Sequence, residues 1–471
     1  ALRTAGRTGG LVLFEPFGGL ASGLPGCLAS GVKGARCLYC DTDQAAIRAA
    51  QHRLGILQQQ YPRLLPRSAL ANTFTALPAD VRSITADSLR SAGAAGGDLW
   101  FFVAGWTCQD FSDAGGGLGL KGPHSSLFFP LLRVLQELQR LQWRGPAFLL
   151  ENAPLQLSRR HPHLLQDFEE ICTALGCSPL CLDAAQFGSH AHRLRNFWTN
   201  LASPSHLRAV LKRVERPPGL HVNQVLHRGW SSKVRDTVER APFYPCCVPG
   251  EPAAVLPTLM ARHASWAYSR DGGGVLVSRS DPTQQRAPDS WERELILGFE
   301  HGSTAAPDLS EQQRCALLGR SMDQRCVNTV LAASLALARA GHAGVPAPPA
   351  LCTVLGGGID LDADADTDDA VVPSSEPGAA LCSFPDGLTW LEPAPYNPET
   401  EPEENMASVL DGPLIALCAR VSDDDPTSAF PLTDTDPVLL SVVDQLAGAD
   451  GATGDAAGAR DIYQDQHCLQ Y

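Results

Sequence analysis

The stretch that decides the fold is LWFFVAGWTCQDFS, residues 99–112. Its first five residues, 99–103, are uninterrupted apolar, which is typical of a strand buried on both faces of a parallel sheet. A second apolar run lies downstream at residues 148–150. Between the two runs, residues 127–143 repeat apolar side chains at the spacing of one amphipathic helix. Strand, helix and strand together predict a crossover unit with two adjacent parallel strands.

Two chemically active positions follow these predicted strands. Cys108 lies on the loop beyond the first strand, and Glu151 lies at the end of the second. Because open α/β sheets bind ligands at the carboxyl ends of their strands, we expect Cys108 and Glu151 to be neighbours. A thiol beside a carboxyl group indicates covalent catalysis with acid assistance. A cysteine considered alone is more often a buried structural thiol.

Charge is distributed unevenly along the 471 residues, whose net charge is −14. Residues 341–471 contain 24 Asp and Glu against 2 Lys and Arg, so residues 1–340 carry a net charge of +8. A positive body is typical of a protein that binds a polyanion. The acidic runs of the tail predict disorder.

The fifteen cysteines are scattered without a disulfide framework or paired zinc-ligand spacing. The sequence also has no signal peptide and no long apolar span. These features predict a reduced intracellular protein with no membrane segment and no metal site. The chain begins at Ala1 instead of methionine, and we expect it to be a piece of a longer protein.

The order of segments predicts an α/β fold in four parts. Residues 1–200 alternate strands and helices as in a parallel α/β sheet. Residues 201–255 are irregular, as in a small inserted target-recognition module, residues 256–343 return to globular composition, and residues 344–471 form the acidic, largely disordered tail.

The predicted recognition module is basic. Residues 201–280 contain eleven Lys and Arg against five Asp and Glu, which suits contacts with phosphate groups. Surface arginines are often only solvated, so each single assignment stays open. The candidates for phosphate contacts are Arg208, Lys212, Arg213, Arg228, Lys233 and Arg235.

A glycine turn follows the first predicted strand. LVLFEPFGG at residues 11–19 runs from an apolar strand into the turn, and the next strand, 36–40, ends at Asp41. A carboxylate at the end of the second strand is placed to bind ribose hydroxyls. Asp80 supplies another acid before the Cys108 strand. Either aspartate could instead cap a helix.

Taken in order, these pieces resemble the DNA (cytosine-5) methyltransferase family over about residues 10–340. Several of them are closest to the eukaryotic de novo branch, including DVRS at 80–83 and AHRLRNFW at 191–198. The sequence departs from the family at Thr107, where proline is usual before the nucleophile. The matching segments are the donor turn Phe14 to Gly19, the nucleophile motif Cys108 to Ser112, Glu151-Asn152, His192-Arg193-x-Arg195 and Leu318-Gly319-Arg320-Ser321.

The resemblance implies a Rossmann-like S-adenosylmethionine-dependent methyltransferase sheet and a role for each matching residue. Cys108 would add to a flipped-out cytosine, Glu151 would hydrogen-bond its ring nitrogen N3, and Asn152 would orient the Cys108 loop. Arg193 and Arg195 would hold the base and its phosphate, although their alternation also fits an ordinary exposed strand face. The residues implied in binding S-adenosylmethionine are Phe14, Glu15, Phe17, Gly18, Asp41, Asp80, Val81 and Ser321.

The implied function is transfer of a methyl group from S-adenosyl-L-methionine to C5 of cytosine in double-stranded DNA, in the nucleus. Two alternatives stay open. One class of RNA (tRNA) cytosine-5 methyltransferase uses a Thr-Cys nucleophile, which Thr107-Cys108 resembles. The other alternative is a catalytically impaired paralogue that binds DNA and regulates a partner. A homo-oligomer or a regulatory protein partner is compatible with either.

Overall fold

The computed structural model of the protein describes residues 10–340, except residues 33–35, 112–114, 143–144, 159, 215, 217–218, 235–249, 263–264 and 270–271. The acidic tail predicted over residues 344–471 and the phosphate candidate Arg235 lie outside the described residues.

A six-stranded sheet forms the centre of the described chain. Its strands are β1 (Leu11–Pro16), β2 (Arg36–Cys40), β3 (Leu99–Gly105), β4 (Ala147–Asn152), β5 (Leu180–Asp183) and β6 (Leu194–Thr199). They are hydrogen-bonded in the order β2-β1-β3-β4-β6-β5. β1, β2, β3 and β4 pair in parallel, whereas β6 is antiparallel to both of its neighbours. The predicted α/β class is confirmed as a mostly parallel sheet.

The prediction of a parallel sheet over residues 1–200 is wrong for β6. Only residues 184–193 connect β5 to β6, and a parallel connection needs about a dozen residues or more. The chain therefore returns antiparallel, and Asn196 pairs with Asn152 at the end of β4. This reversal places the first residues of β6 at the sheet edge where β3 and β4 end.

Helices cover both faces of the sheet. One layer consists of α1 (Gly23–Ala29), α2 (Gln44–Gln60), α6 (Pro204–Leu211) and α9 (Gln324–Ala340), and the other of α3 (Ala86–Ser91), α4 (Phe128–Leu141) and α5 (Leu164–Leu175). Strand β3 serves both layers, because Phe101 and Val103 face the first while Trp100 and Phe102 face the second. Burying each such side chain contributes about 1.5–3 kcal/mol relative to leaving it exposed.

The strand–helix–strand unit predicted around the Cys108 stretch is present. α4 spans all but the ends of the predicted helix, and its buried Leu131, Leu135 and Leu138 recur at helical spacing. The two strands that it joins are parallel neighbours, with Gly105 of β3 opposite Glu151 of β4. The carboxyl ends of both strands therefore lie side by side.

A second, three-stranded sheet has the order β7-β8-β9, with β7 (Trp230–Ser232), β8 (Leu276–Ser278) and β9 (Gln285–Arg286). Its strands come from both sides of the predicted boundary at residue 255. Helix α6, from the segment predicted as a recognition module, packs Leu207 and Leu211 into the core beside α9. α7 (Ser290–Ile296) and α8 (Glu311–Arg320) complete the described helices. The four-part division of the chain stays a prediction.

Candidate active site

The loop after β3 is fixed to the end of β4. Asn152, which is 1% exposed, donates a hydrogen bond from Nδ2 to the carbonyl oxygen of Trp106 at 2.9 Å. A Cβ atom on Gly105 would lie 3.0 Å from Glu151 Oε2. Half-buried Cys108 follows three residues after Gly105 and packs against the sheet core. The structure thus brings the predicted Cys108, Glu151 and Asn152 to one sheet edge.

Arg195 pairs with Glu151 beside this loop. Its Nε lies 3.0 Å from Glu151 Oε1, and the two side chains are 15% and 9% exposed. Arg195 and Glu151 therefore form an ion pair but no hydrogen bond. Glu151 Oε1 has no hydrogen-bond donor among the described residues. Arg195 instead donates from Nη1 to the carbonyl oxygen of Leu194. A buried acceptor left in this state is rare in folded proteins.

Arg193 is buried next to the same groups. Burial, followed by repulsion from Arg195, lowers the pKa of Arg193 to about 10, while negative charge on Glu151, Cys108 and Asp323 opposes the decrease. The guanidinium therefore carries its positive charge at neutral pH. Its Nη1 donates to the carbonyl oxygen of Gly319 at 3.4 Å, and its Nε has no acceptor among the described residues.

Asp183, which the sequence did not single out, holds the segment that carries the arginines. Its Oδ1 accepts the backbone N–H of Arg193 at 3.0 Å, and its Oδ2 lies 2.8 Å from His192 Nδ1. Both side chains are buried, and His192 Nε2 has no partner in the described structure. An aspartate at the end of a strand is a common turn residue, so the sequence offered no specific signal for this role.

The donor turn is shaped by close contacts between β1 and β2. Gly18 donates its N–H to the Cys40 carbonyl oxygen at 3.0 Å, and a Cβ on Gly18 would lie 2.2 Å from the Tyr39 ring. Phe17 has a φ of 53°, a left-handed conformation that is strained for a side chain other than glycine and is common at ligand sites. Asp41 Oδ2 accepts the N–H of Gly19 at 2.9 Å. Phe17, Gly18 and Asp41 therefore lie together at this turn, and their role in binding the donor stays a prediction.

Phe14 and Glu15 are placed differently from the prediction that they line the donor pocket. Phe14 is 0% exposed and packs edge-on against Phe102, with ring centroids 5.3 Å apart. Glu15 is buried on the opposite face and accepts the N–H of Gly23, the first residue of α1, at 2.6 Å. Burial raises the pKa of Glu15 to about 7. Both residues are core residues that support the turn, because alternate residues of a doubly covered strand point into opposite layers.

Asp80 adopts the alternative role of a cap. It accepts the N–H of Arg82 at 2.9 Å, at the start of the short 3-10 helix Val81–Ser83, and its Oδ2 lies 2.7 Å from Arg82 Nη2. The hydrogen bond from the Arg82 side chain lowers the pKa of Asp80. Val81 is 4% exposed. Arg133 of α4 donates to the carbonyl oxygens of Arg82 at 2.8 Å and Ile84 at 2.9 Å, so α4 holds this segment in place.

Ser321 is at the end of α8, close to the nucleophile loop. It is 8% exposed and donates from Oγ to the Leu318 carbonyl oxygen at 2.8 Å. The next residue, Met322, has its Cε 3.1 Å from the position of a Cβ on Gly105. The last predicted motif therefore reaches the end of β3.

A buried arginine joins the donor turn to that last motif. Arg53 of α2 is 0% exposed and donates to the Leu20 carbonyl oxygen at 2.7 Å, to Glu300 Oε2 at 2.8 Å and to Gln324 Oε1 at 2.8 Å. Gln324 in turn donates to the carbonyl oxygen of Ser22 at 2.9 Å. These contacts span up to 302 positions of the sequence, and no local pattern around Arg53 could have revealed them.

The predicted phosphate-contact residues lie in two places. Arg208, Lys212 and Arg213 are exposed at the end of α6 or just after it, on the main core. Arg228 is exposed before β7, and Lys233 is half-buried after it. The first group therefore lies beside the six-stranded sheet and the second beside the three-stranded sheet. Their role in binding nucleic acid stays a prediction.

Among the described residues, one group has the spacing of metal ligands: His227, Asp289 and Glu292. Its carboxylates are already engaged, because Glu292 accepts two hydrogen bonds from Arg286, at 2.6 and 2.7 Å, and Asp289 caps α7. We assign no metal to it. Within the described residues, none of the helices combines the length and the apolar character that a membrane span requires.

Comparison with known families finds one match that includes this site. Residues 79–237 match the family model of the C-5 cytosine-specific DNA methylases. This segment of the chain is therefore similar to that family. This family uses S-adenosylmethionine as its methyl donor. The matched segment includes Cys108, Glu151, Arg193 and Arg195.

Comparisons with solved structures and with curated proteins add little to the match with the family model. The chain is similar to the Dnmt2 methyltransferase of S. pombe, with 16% identity and a TM-score of 0.43 over 69% of this chain and 98% of that one. It is similar to the methyltransferase EhMeth of Entamoeba histolytica, with 12% identity and a TM-score of 0.43 over 70% of this chain and 98% of that one. Similarities this weak carry no argument about substrate. The comparison with curated proteins gives no match.

Proposed function

We propose that the protein transfers a methyl group from S-adenosylmethionine to C5 of a cytosine in double-stranded DNA, with Cys108 as the covalent nucleophile. One observation carries the proposal: Cys108, Glu151, Arg193 and Arg195 converge at one sheet edge, and two of their buried polar atoms lack partners. Those atoms are the acceptor Glu151 Oε1 and the donor Arg193 Nε. Buried polar groups are normally satisfied, so this pair suits a polar ring bound between them.

The chemistry follows from the weak nucleophilicity of C5. The Cys108 thiolate forms a bond to C6 and breaks the C5–C6 double bond, and C5 then gains the electron density that it needs to attack a methyl group. Glu151, in its protonated form, would donate a hydrogen bond to N3 and so offset the negative charge that the addition puts on the ring. Loss of the C5 proton to a base restores the double bond and releases Cys108. Buried Arg193 places a positive charge beside the group that attacks the ring.

The donor turn fits the methyl donor. Phe17, Gly18 and Asp41 would hold it, with the Asp41 carboxylate at the carboxyl end of β2, where ribose hydroxyls bind in such sheets. The strained φ of Phe17 and the close approach of Gly18 to Tyr39 fix the shape of the turn. Asp80, Val81 and Ser321 would complete the site from the neighbouring strand and from α8. S-adenosylmethionine, when bound, would supply the electrophilic methyl group and leave as S-adenosylhomocysteine.

A cytosine inside a duplex is out of reach of Cys108, so the base must leave the stack at a cost of a few kcal/mol. The exposed Arg208, Lys212, Arg213 and Arg228 would compensate by contacting phosphates, as would Lys233. The net charge of +8 over residues 1–340 supports a polyanionic substrate. A duplex DNA substrate would also place the protein in the nucleus, which localisation of the tagged chain would test.

The test measures incorporation of the labelled methyl group into duplex DNA and, separately, into transfer RNA. We expect labelled DNA, and bisulfite sequencing of the product should locate the methyl group at cytosine. Labelled RNA alone would reject the DNA proposal, and no label in either would favour a regulatory DNA-binding protein. Cys108→Ala should abolish transfer and retain donor binding. Cys177→Ala, which removes another half-buried thiol, should stay active.

A further inference from the structure

The loop that carries Cys108 is fastened to a second segment, His124-Ser125, on both sides of the cysteine. On one side, the Thr107 hydroxyl donates to the carbonyl oxygen of His124, and the Thr107 carbonyl accepts a hydrogen bond from Ser125 Oγ at 3.3 Å. On the other side, Asp110 Oδ2 accepts the N–H groups of His124 and Ser125, both at 2.9 Å. Cys108 therefore lies between two points of attachment.

The two attachments differ in strength. Asp110 is 5% exposed, and its bonds to two backbone N–H groups are charge-assisted. Gly122 packs against it so closely that a Cβ there would lie 2.3 Å from the carboxyl carbon. The attachment at Thr107 depends on two neutral hydroxyl groups, that of half-buried Thr107 and that of Ser125, whose bond is 3.3 Å long. The segment before Cys108 is therefore held less firmly than the segment after it.

Thr107 occupies the position where the chain can still change the direction of the cysteine. The preceding carbonyl, that of Trp106, is fixed by Asn152, and the following residue is Cys108 itself. A β-branched side chain has restricted rotation about χ1, so the hydroxyl bond to His124 also restrains the backbone of Thr107. Proline at this position would restrain the same backbone through its ring and would offer no donor. Threonine achieves the restraint by bonding to a neighbouring segment.

We propose that Thr107 is a positioning residue, whose hydroxyl, bound to the His124 carbonyl oxygen, keeps the Cys108 thiol directed toward Glu151 and Arg193. The effect on turnover rests on the function proposed above. The effect on the loop does not, because it can be measured without substrate.

The experiment compares Thr107→Val, which keeps the branched shape and removes the hydroxyl, with Thr107→Ser, which keeps the hydroxyl. Loss of one neutral hydrogen bond should make amide hydrogen exchange of residues 106–111 about 3- to 10-fold faster and lower kcat about 3- to 10-fold. The KM for S-adenosylmethionine should not change. Thr107→Ser should restore both values to within about twofold. Thr173→Val, which alters an exposed threonine of α5, is the matched control.

Each outcome decides the proposal. The proposal is overturned if amide exchange in Thr107→Val is the same as in the wild type. It is also overturned if exchange is faster but Thr107→Val turns over substrate as fast as an active wild type. A serine variant as impaired as the valine variant also overturns it, because the hydroxyl would then be irrelevant. If Thr107→Val does not fold, Thr107→Ser and Thr107→Ala give the same comparison. If the wild type methylates no cytosine substrate, the proposed function fails, and the exchange rates alone decide whether the hydroxyl holds the loop.

Discussion

Replacing Glu15 by glutamine should remove a large part of the pH dependence of the stability of the protein. Burial raises the pKa of Glu15 from 4.5 to about 7. The folded protein binds this proton more tightly than the unfolded chain does. The proton on Glu15 therefore stabilises the folded state fully below about pH 4.5, and this contribution is lost as the pH rises through about 7. At about 1.36 kcal/mol per pH unit, the loss amounts to about 3 kcal/mol.

Glutamine has the shape of the neutral carboxyl group and can still accept the N–H of Gly23, so Glu15→Gln should not lose this stability. The assay is urea unfolding of wild type and variant at about pH 5 and about pH 8. Taking the difference between the two proteins cancels the titration of other buried groups such as His190 and Asp323, whose pKa values are also shifted. Between about pH 5 and about pH 8, the free energy of unfolding of Glu15→Gln should rise by about 2.5 kcal/mol relative to that of the wild type, because part of the loss already occurs below pH 5.

The control is Glu169→Gln on the exposed face of α5, which should change stability by less than about 0.5 kcal/mol at either pH. A difference between Glu15→Gln and wild type that stays constant from low to high pH would refute the reasoning. Glu15 would then be ionised in the folded protein over the whole range.

Three further predictions concern the supports of the site. Asn152→Ala leaves the Trp106 carbonyl oxygen without its donor and should lower the free energy of unfolding by about 1–3 kcal/mol; unchanged urea unfolding would contradict it. Gly122→Ala would place a Cβ 2.3 Å from the Asp110 carboxyl group and should lower kcat while donor binding is retained. The control Gly116→Ala, whose Cβ has its nearest contact 3.7 Å away, should stay active. Equal rates of the two variants would contradict this prediction. Arg133→Met leaves the carbonyl oxygens of Arg82 and Ile84 without their donor and should raise the KM for S-adenosylmethionine about 3- to 10-fold. The control Arg140→Met, on the exposed face of α4, should leave this KM unchanged. A KM of Arg133→Met equal to that of the wild type would exclude a role of Arg133 in donor binding.

The centre of the fold could be predicted from sequence because its signals are local. The uninterrupted apolar run of β3, the helical spacing of α4 and the apolar run of β4 specify a strand–helix–strand unit without reference to the rest of the chain. Once that unit is assumed, the juxtaposition of Cys108 and Glu151 follows from the rule that parallel strands end at the same edge.

Other features depended on contacts that sequence spacing does not encode. The antiparallel direction of β6 follows from the short connection after Asp183. The length of this connection can be counted only once the ends of both strands are known. Phe14 and Glu15 lie in opposite layers because both faces of β1 are covered. The capping role of Asp80 is decided by the local Arg82 pair. Arg53 connects the donor turn to the last motif through contacts that are distant in sequence.

The most direct test of the central claim is to trap the bond between Cys108 and the base. Duplex DNA that contains 5-fluorocytosine cannot lose a proton from C5, so an adduct formed during methyl transfer should persist. We predict that intact-mass analysis with S-adenosylmethionine present shows one protein–DNA adduct and that peptide mapping places it on Cys108. No adduct from a preparation that methylates ordinary cytosine, or an adduct on another cysteine, would contradict the account.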